Sequence, residues 1–173
     1  MKNWLQKSLI WFGGLTLVGF VILSQTKLTQ CLSESLEGIG YMLFLKHTRV
    51  QVGDIVLIQD HREDHVAELR KWPYSKRVLG VFGDRILKDR HGIRVSLLHC
   101  KNNPGKAQPC ISKVLPLLDK TSKGKPLTPI SAKVIPKNYV FVAGDNPNSF
   151  DSRYEEFGLV PVQKIWGKAV WTW

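Results

Sequence analysis

The chain has 173 residues, 43% of them hydrophobic and 23% charged, a composition that indicates one globular domain and excludes general disorder. Its formal net charge of +11 suits an anionic partner, which includes acidic lipid, an acidic protein and nucleic acid. Lys and Arg are scattered from Lys27 to Lys168 without an arginine-rich run or a nucleic-acid-binding signature, so nucleic acid is not expected as a partner.

An apolar segment near the N-terminus decides the expected compartment. Residues 8–24 (SLIWFGGLTLVGFVILS) carry no charge and would span roughly 25 Å as a helix, close to the ~30 Å core of a bilayer. Residues 1–26 are therefore predicted to be an uncleaved signal anchor with a transmembrane helix at about 8–24, and a cleaved signal peptide is the alternative. Lys2 and Lys7 precede the apolar run, which places residues 27–173 outside the cytoplasm.

After the anchor, short runs of alternating or β-branched residues predict a mainly β domain. The polar Gln25–Gln30 segment is predicted to be a short link, and only Arg62–Trp72 has a helical pattern. Nothing supplies crossover helices for a parallel sheet, so the sheets are predicted to be antiparallel. Lys113–Lys137 is rich in Lys, Pro and Ser and predicts an exposed excursion, within a loop-rich insert at about 85–136. The predicted strands are Tyr41–Leu45, Asp54–Ile58, Arg77–Val81, Gly92–Leu98, Tyr139–Ala143 and Gly167–Trp171.

The three cysteines fit an oxidising compartment. Cys100 and Cys110 flank a turn-rich loop (KNNPGKAQP), and a disulfide between them is predicted, with two reduced surface thiols as the alternative. Cys31 is outside this bridge. No CxxC pair or His/Cys cluster supports a metal site, and HREDH at residues 61–65 has Arg where the zinc-protease pattern needs Glu, so no metal or other cofactor is expected.

Three separated segments place polar side chains beside turns. Each alone is usually a solvated linker, a strand end or an ordinary turn, so the functional argument depends on their order and combination. The segments are CLSESLEGIGY (residues 31–41), YSKRVLGVFGD (74–84) and GDNPNSFDSRY (144–154).

The second and third segments closely resemble sequence boxes of the bacterial type I signal peptidases. KRVLGVFGD, which begins at Lys76, is similar to their lysine box. GDN at Gly144, NSFDSR at Asn148 and GLVP at Gly158 are together similar to their C-terminal box. VGDIVL at Val52 is similar to the strand that follows their serine box, whereas the insert contains no family motif.

The first segment resembles the serine box of one branch of that family, the conjugative-transfer (TraF-like) signal peptidases. In that branch Ser-x-Ser-Leu-Pro leads through Gly to Tyr, and Ser33-Glu-Ser35-Leu-Glu-Gly38 followed by Tyr41 has the same order. Glu37 occupies the position of the proline. Ser35 is therefore implied as the nucleophile, with Ser33 as the next candidate and Cys31 as the third.

The resemblance implies antiparallel β-sheets of the signal peptidase I type, preceded by one N-terminal transmembrane helix. It also implies a membrane-anchored serine endopeptidase of the bacterial inner membrane, with its domain on the periplasmic side. Lys76 would be the general base for Ser35, and Ser149 would orient it. Asp151 and Arg153 would form a supporting ion pair. The oxyanion would be held by the Ser35 backbone N–H together with the Ser33 hydroxyl.

A lysine can act as a base only if its pKa falls. With an ordinary pKa near 10.4, about one lysine in 2,500 is neutral at pH 7. Removing the amine from water lowers its pKa, and the apolar side chains of Val78, Leu79 and Phe82 beside Lys76 are expected to contribute to this desolvation.

The same resemblance implies precursor proteins with signal peptides as partners, together with membrane lipid. The precursor would bind as an added strand, and the TraF-like serine box indicates a prepilin or another conjugative-transfer precursor. The missing proline motivates one alternative, a catalytically inactive scaffold or precursor-binding protein of a transfer apparatus. A zinc metalloprotease and a basic DNA-contacting transfer protein are further alternatives.

Overall fold

The computed structural model describes residues 11, 16, 19–20, 23–31, 35–46, 48–59, 73–98 and 110–173. The described residues before position 26 are helical, and no helix in this part of the chain combines the length and apolar character of a membrane span. The transmembrane prediction at about 8–24 falls mostly outside the described residues. The helix predicted for Arg62–Trp72 lies wholly outside them, as do His61 and His65.

The described residues form a mainly β structure in which each pair of neighbouring strands is antiparallel, as the sequence predicts. Among them, seven strands make one sheet in the order β1-β2-β9-β3-β4-β7-β8, and β5 and β6 make a second. The strands are β1 Thr26–Gln30, β2 Tyr41–Lys46, β3 Ile55–Ile58, β4 Tyr74–Gly80, β5 Arg85–Asp89, β6 Gly92–Ser96, β7 Tyr139–Ala143, β8 Val160–Pro161 and β9 Ile165–Thr172; a 3-10 helix spans Val162–Lys164.

Strands β3 and β7 are apolar because both of their faces are covered. In β3 (Ile55–Ile58), alternate side chains enter two different hydrophobic clusters, one on each side of the sheet. In β7 (Tyr139–Ala143), Val140 and Val142 pack on one side while Phe141 and Ala143 pack on the other. Covered faces require apolar side chains at successive positions, which explains the continuous runs IVLI and VFVA.

The segment after Cys110 is held against the small sheet. Short bridges join it to β6 at Ile93↔Leu115 and to β5 at Arg85↔Val134. Its apolar side chains Leu115, Ile130 and Ile135 are buried in the cluster between the two sheets. The prediction of an exposed excursion at Lys113–Lys137 is therefore wrong at these positions, because single apolar residues spaced among Lys and Pro are enough to fix it to the core.

Six predicted strands are found, as β2, β3, β4, β6, β7 and β9. The prediction of a link at Gln25–Gln30 is wrong, since Thr26–Gln30 forms β1 and pairs with β2. As an edge strand it is stabilised by backbone hydrogen bonds on one side and leaves Leu28 61% exposed, so it needs no apolar pattern. Strands β5 and β8 are also absent from the sequence prediction.

Gly80 at the end of β4 provides a test of the close packing between the sheets. A Cβ at this position would lie 2.6 Å from Ile135 Cδ1 and 2.7 Å from Val95 Cγ1, whereas at Gly40 it would meet only the Trp173 carbonyl at 3.4 Å. We expect Gly80→Ala to lower the free energy of unfolding by about 1–3 kcal/mol relative to Gly40→Ala. Urea unfolding of both variants measures this difference, and equal midpoints would contradict it.

Candidate active site

Lys76 lies on β4 with its side chain directed into the protein. Alternate residues of this strand are buried, so Lys76 shares a face with Val78, and the residue is 4% exposed. Its Nζ donates hydrogen bonds to Ser35 Oγ at 2.9 Å and to Ser149 Oγ at 2.5 Å. The structure therefore brings residues 35, 76 and 149 together around one buried amine, although 41 and 73 positions separate the lysine from its partners.

Burial lowers the pKa of Lys76 from 10.5 to about 8. Loss of water around the ammonium is the main cause; Asp151 opposes it, Arg153 adds to it and Cys31 opposes it more weakly. Val78 is buried beside the lysine, but Phe82 is 61% exposed, so the prediction that Phe82 helps to desolvate the amine is wrong. Phe82 lies beyond the end of β4, where the chain turns back at Gly83.

Ser35 belongs to a turn between β1 and β2. Gly38 adopts a φ of +71° in this turn, and Leu36 next to the serine is buried in a cluster with Met42 and Phe44. The base of the loop is closed by a hydrogen bond from the Cys31 N–H to the Gly40 carbonyl at 2.8 Å. The turn is thus fixed at its base and by one apolar side chain. Ser33, the predicted oxyanion residue and second candidate nucleophile, lies outside the described residues.

Gly144 allows the end of β7 to approach both serines. A Cβ at this position would lie 2.6 Å from Ser149 Cβ and 2.8 Å from the Ser35 carbonyl oxygen, closer than any side chain tolerates. Its N–H donates to Asp151 Oδ2 at 2.9 Å. Glycine is therefore required here by space, a role that the sequence analysis did not give to Gly144.

Asp151 and Arg153 form a fully buried ion pair, with Nε 2.8 Å from Oδ1 and Nη2 3.0 Å from Oδ2. The remaining donors of the guanidinium bind backbone carbonyls. Nη1 donates to Pro116 at 2.7 Å and to Pro147 at 2.8 Å, and Nη2 donates to Ser149 at 2.6 Å. All five N–H groups of the arginine are used, which stabilises its charge in an apolar setting.

A second ion pair beside the site was not singled out from the sequence. Arg77, next to Lys76, donates Nε to Asp145 Oδ1 at 3.0 Å and Nη2 to Oδ2 at 2.9 Å. Burial acts to raise the pKa of Asp145, but hydrogen bonds and charge from Arg77, the charge of Lys113 and the Glu37 N–H outweigh it and lower that pKa below 3.8. The available signal was that Arg77 follows Lys76 in KRVLGVFGD and that Asp145 lies in GDN, so both belong to the motifs that carry the predicted site residues.

The two cysteines in the described part of the chain differ in oxidation state. Cys110 is disulfide-bonded, Cys31 carries a thiol, and Cys100, the predicted partner of Cys110, lies outside the described residues. No group of three or more His, Cys, Asp and Glu side chains is arranged to hold a metal ion within the described ranges.

The turns that contain Asp54 and Asp84 are structural. Asp54 pairs with Lys168 at 3.2 Å and accepts the Gln51 N–H, and Asp84 accepts the backbone N–H groups of Val81 and Leu98.

Replacing Arg153 by Met tests the buried ion pair. The variant leaves the Asp151 carboxylate without its partner in an apolar site, so we expect the free energy of unfolding to fall by about 3–5 kcal/mol. Lys168→Met is the matched control, because its pair with Asp54 is 24% and 20% exposed and is expected to contribute no more than about 1 kcal/mol. If denaturant unfolding gives equal losses of unfolding free energy for the two variants, the buried pair is no more important for stability than the exposed one.

Comparison with known proteins agrees with the motifs. A family model described as signal peptidase, peptidase S26, matches residues 1–173. A probable conjugal transfer protein TraF of Sinorhizobium fredii (strain NBRC 101917 / NGR234) is 30% identical over 147 residues, which cover 77% of this chain and 70% of that protein. A signal peptidase I from Enterococcus faecalis V583, known from a crystal structure, is 23% identical, with a TM-score of 0.42 over 70% of this chain and 97% of that one. The chain belongs to the signal peptidase family, peptidase S26, and is a homologue of the TraF-like conjugal transfer proteins.

Proposed function

We propose that this protein is a serine endopeptidase that removes signal peptides, with Ser35 as the nucleophile and Lys76 as the general base. The observation that carries the proposal is the 2.9 Å hydrogen bond between Lys76 Nζ and Ser35 Oγ in a site that lowers the lysine pKa to about 8. Members of the family act on precursors that carry signal peptides, which agrees with this assignment.

The depressed pKa changes how often the base is available. An amine with a pKa of 10.5 is neutral in about one molecule in 3,000 at pH 7, and one with a pKa of about 8 is neutral in about one in ten. The difference corresponds to roughly 3 kcal/mol of destabilisation of the ammonium, which the folded structure must supply through burial. No carboxylate contacts the Lys76 amine through a hydrogen bond in the described part of the site, so the neutral form is not strongly opposed.

The reaction proceeds in two proton-balanced steps. Neutral Lys76 takes the Ser35 hydroxyl proton as Oγ attacks the scissile carbonyl, and the resulting ammonium gives this proton to the departing amine. An acyl-enzyme on Ser35 and the released mature protein result. Water then attacks the ester while Lys76 takes its proton and returns it to Ser35 Oγ, which releases the signal peptide.

The remaining site residues act on the geometry of this pair. Ser149 Oγ accepts the second hydrogen bond of the amine and so orients its lone pair towards Ser35. Asp151 and Arg153 hold the loop around Ser149 through the buried ion pair and the Ser149 carbonyl. The Ser35 N–H and the Ser33 hydroxyl are assigned to the oxyanion, where the loss of one donor typically costs about 3–4 kcal/mol.

The substrate is proposed to be a prepilin or another precursor of a conjugative-transfer apparatus. The homologue in Sinorhizobium fredii bears the name of a probable conjugal transfer protein, and the serine segment follows the TraF-like order. Mass spectrometry of candidate precursors incubated with the protein tests this step, and cleavage confined to unrelated secreted proteins would contradict it.

We place the protein in the bacterial inner membrane, anchored by residues 1–26 and with residues 27–173 on the periplasmic side. The disulfide at Cys110 supports an oxidising compartment. Trp171 and Trp173 are 67% and 53% exposed, and Trp173 stacks on Tyr41 at 5.7 Å. Clustered Trp and Tyr side chains are typical of a membrane–water interface. Membrane lipid is therefore the partner proposed for the surface that these three aromatic side chains form.

The alternative function is an inactive scaffold or precursor-binding protein, which the Glu37 departure motivates. A hydroxyl and a desolvated amine at 2.9 Å favour catalysis over binding alone. Binding of a signal-peptide substrate without any cleavage by the purified wild-type protein would favour the scaffold.

Alanine at either member of the pair is expected to abolish cleavage without unfolding the protein. We expect Ser35→Ala and Lys76→Ala each to reduce turnover by roughly 10³-fold or more, since the two groups act as a unit. Lys168→Ala is the matched lysine control and is expected to retain normal turnover, because Lys168 pairs with Asp54. Normal turnover in Ser35→Ala would transfer the nucleophile role to Ser33.

The pH profile should report Lys76 directly. The neutral amine is the active form, so kcat/KM is expected to rise about tenfold per pH unit below pH 8 and to level off above a midpoint near 8. Stopped assays on a signal-peptide substrate between pH 5 and 10 measure this. A profile that is already flat from pH 6 upward would indicate a carboxylate base and would contradict the assignment.

A further inference from the structure

Most of the unbalanced charge of this protein lies between residues 85 and 137. This stretch contains twelve of the 25 Lys and Arg residues but only two of the 14 Asp and Glu residues. The rest of the chain has 13 Lys and Arg residues against 12 Asp and Glu residues, so it is almost neutral. Cations are spread along the whole chain, and this stretch is strongly basic because acidic residues are missing from it.

Two of these cations lie on one face of the small sheet. In the pairing of β5 with β6, Arg85 is opposite Ser96 and Leu87 is opposite Arg94, and opposed residues of an antiparallel pair lie on the same face. The other face, which includes Val95, is buried in the core between the sheets. We call the face formed by Arg85, Leu87, Arg94 and Ser96 the outer face; Leu87 on it is 43% exposed.

The outer face combines positive charge with apolar side chains. Single bridges extend it by Val134 beside β5 and by Ile111 beside β6, and both of these residues are exposed. Arg94 lies 3.5 Å from Asp89, and an ion pair of this length between exposed side chains leaves other donors of the guanidinium available. A polypeptide with acidic and apolar side chains matches this composition.

The positive charge reaches the proposed active site through Lys113. Its Nζ lies 3.4 Å from the Asp145 carbonyl oxygen, and the Asp145 N–H donates to the Ser35 carbonyl. Lys113 also lies between the two single bridges that join its segment to β6, and Arg94 lies between the same bridges on β6. Cations therefore continue from the edge of the site to the outer face.

Hydrogen bonds fix this part of the chain to the loop that carries Ser149. The Tyr154 hydroxyl accepts the Leu118 N–H at 2.9 Å, and the Arg153 carbonyl accepts the Ile130 N–H at 2.8 Å. The basic segment is therefore held in a constant position relative to the proposed site.

We propose that the outer face binds an acidic segment in the mature part of the precursor, and so selects precursors by charge beyond their cleavage site. The inference rests on the proposed function, in which the signal peptide lies towards the membrane and the mature part leads away from it. The aromatic surface proposed to contact lipid is formed by residues of β2 and β9 and by the residue after β9. The small sheet packs instead against β7, near the other edge of the seven-stranded sheet.

The composition of the basic stretch favours a polypeptide over other polyanions. Residues 85–137 contain no Phe, Trp or Tyr. Proteins that bind single-stranded nucleic acid stack the bases on aromatic side chains, and surfaces at a membrane interface use Trp and Tyr as anchors. An acidic protein segment needs neither, because charge complementarity is sufficient to guide its association.

Two precursors that differ only in their mature part test the proposal. Both carry the same signal peptide and cleavage site, and one has Glu and Asp in its mature part where the other has Gln and Asn. With the full-length protein in nanodiscs of neutral lipid, we expect kcat/KM to be about tenfold higher for the acidic precursor at ~20 mM salt. At ~0.5 M salt the difference should fall to about twofold or less, because salt screens the attraction. Equal values at low salt would overturn the proposal.

Arg85→Gln combined with Arg94→Gln locates the effect on the outer face. We expect this double variant to reduce the preference to about threefold or less while kcat/KM for the neutral precursor stays within about twofold of wild type. Lys46→Gln with Arg49→Gln is the matched control, because it removes the same charge at the end of β2 and just beyond it. Equal losses of preference in the two double variants would assign the effect to net charge and not to the outer face. Arg85→Gln alone, at an exposed position, should lose part of the preference even if replacement of half-buried Arg94 impairs folding.

The remaining outcomes separate this inference from its competitors. If the outer-face variant instead loses stimulation by anionic lipid in the nanodiscs, or binding of a single-stranded oligonucleotide, and keeps its preference for the acidic precursor, the face serves that other partner and the proposal is wrong. If wild-type protein cleaves neither precursor, the proposed function fails and this inference fails with it. If wild type cleaves both equally well at low salt, only the inference is wrong.

Discussion

An amine that is kept out of water without a carboxylate in direct contact is the constraint on which the rest of this structure depends. Lysine resists this condition, because its ammonium is strongly hydrated and attracts counter-ions. The protein places Lys76 at an inward position of a central strand and surrounds its nitrogen with two hydroxyl groups. Hydroxyls accept hydrogen bonds from the charged form but stabilise it less than a carboxylate does. The result is an amine whose pKa is lowered to about 8.

Asp151 and Asp145, the acidic side chains beside the lysine, each form an ion pair with an arginine. Asp151 lies close enough to raise the lysine pKa, yet Arg153 takes both of its oxygens and adds an opposing positive charge. Asp145 is bound in the same bidentate way by Arg77. Each carboxylate is therefore bound by an arginine, and neither donates or accepts a hydrogen bond at the lysine amine, whose pKa is lowered mainly by loss of water. With both carboxylates paired in this way, the site contains charged groups and still stabilises the Lys76 ammonium poorly, so the lysine pKa stays low.

The sequence predicts the parts of the fold that depend on continuous burial. Runs such as IVLI and YVFVA show their strands because both faces of the central sheet are covered. Strand β1 is missed, since an edge strand is held by backbone hydrogen bonds that leave no apolar pattern. Leu115, Ile130 and Ile135 are missed for a related reason, because each is buried singly by contacts that are distant in the chain.

In the candidate site too, some residues can be predicted from the sequence and others cannot. Motif order is sufficient to select Ser35, Lys76 and Ser149 from the sequence, because the resemblance assigns its proposed chemistry to residues within these motifs. The pair of Arg77 with Asp145 depends on strand register. Arg77 lies opposite Ala143, and Asp145 follows Ala143 by two residues. Register between strands that are 68 positions apart cannot be obtained from local patterns.

The contact between Arg153 and the Pro116 carbonyl has a consequence for variation of the chain. A carbonyl oxygen is common to every amino acid, so residue 116 can change identity freely while its backbone must stay within reach of the guanidinium. A comparison of sequences would register no preference there, although deletion of a neighbouring residue would withdraw an acceptor from a charge that has no water to replace it. At residue 116 the position of the backbone has to be preserved and the side chain does not, whereas Leu115 beside it must stay apolar because it is buried in the core. Grafts from relatives with shorter or longer loops should be designed around that oxygen.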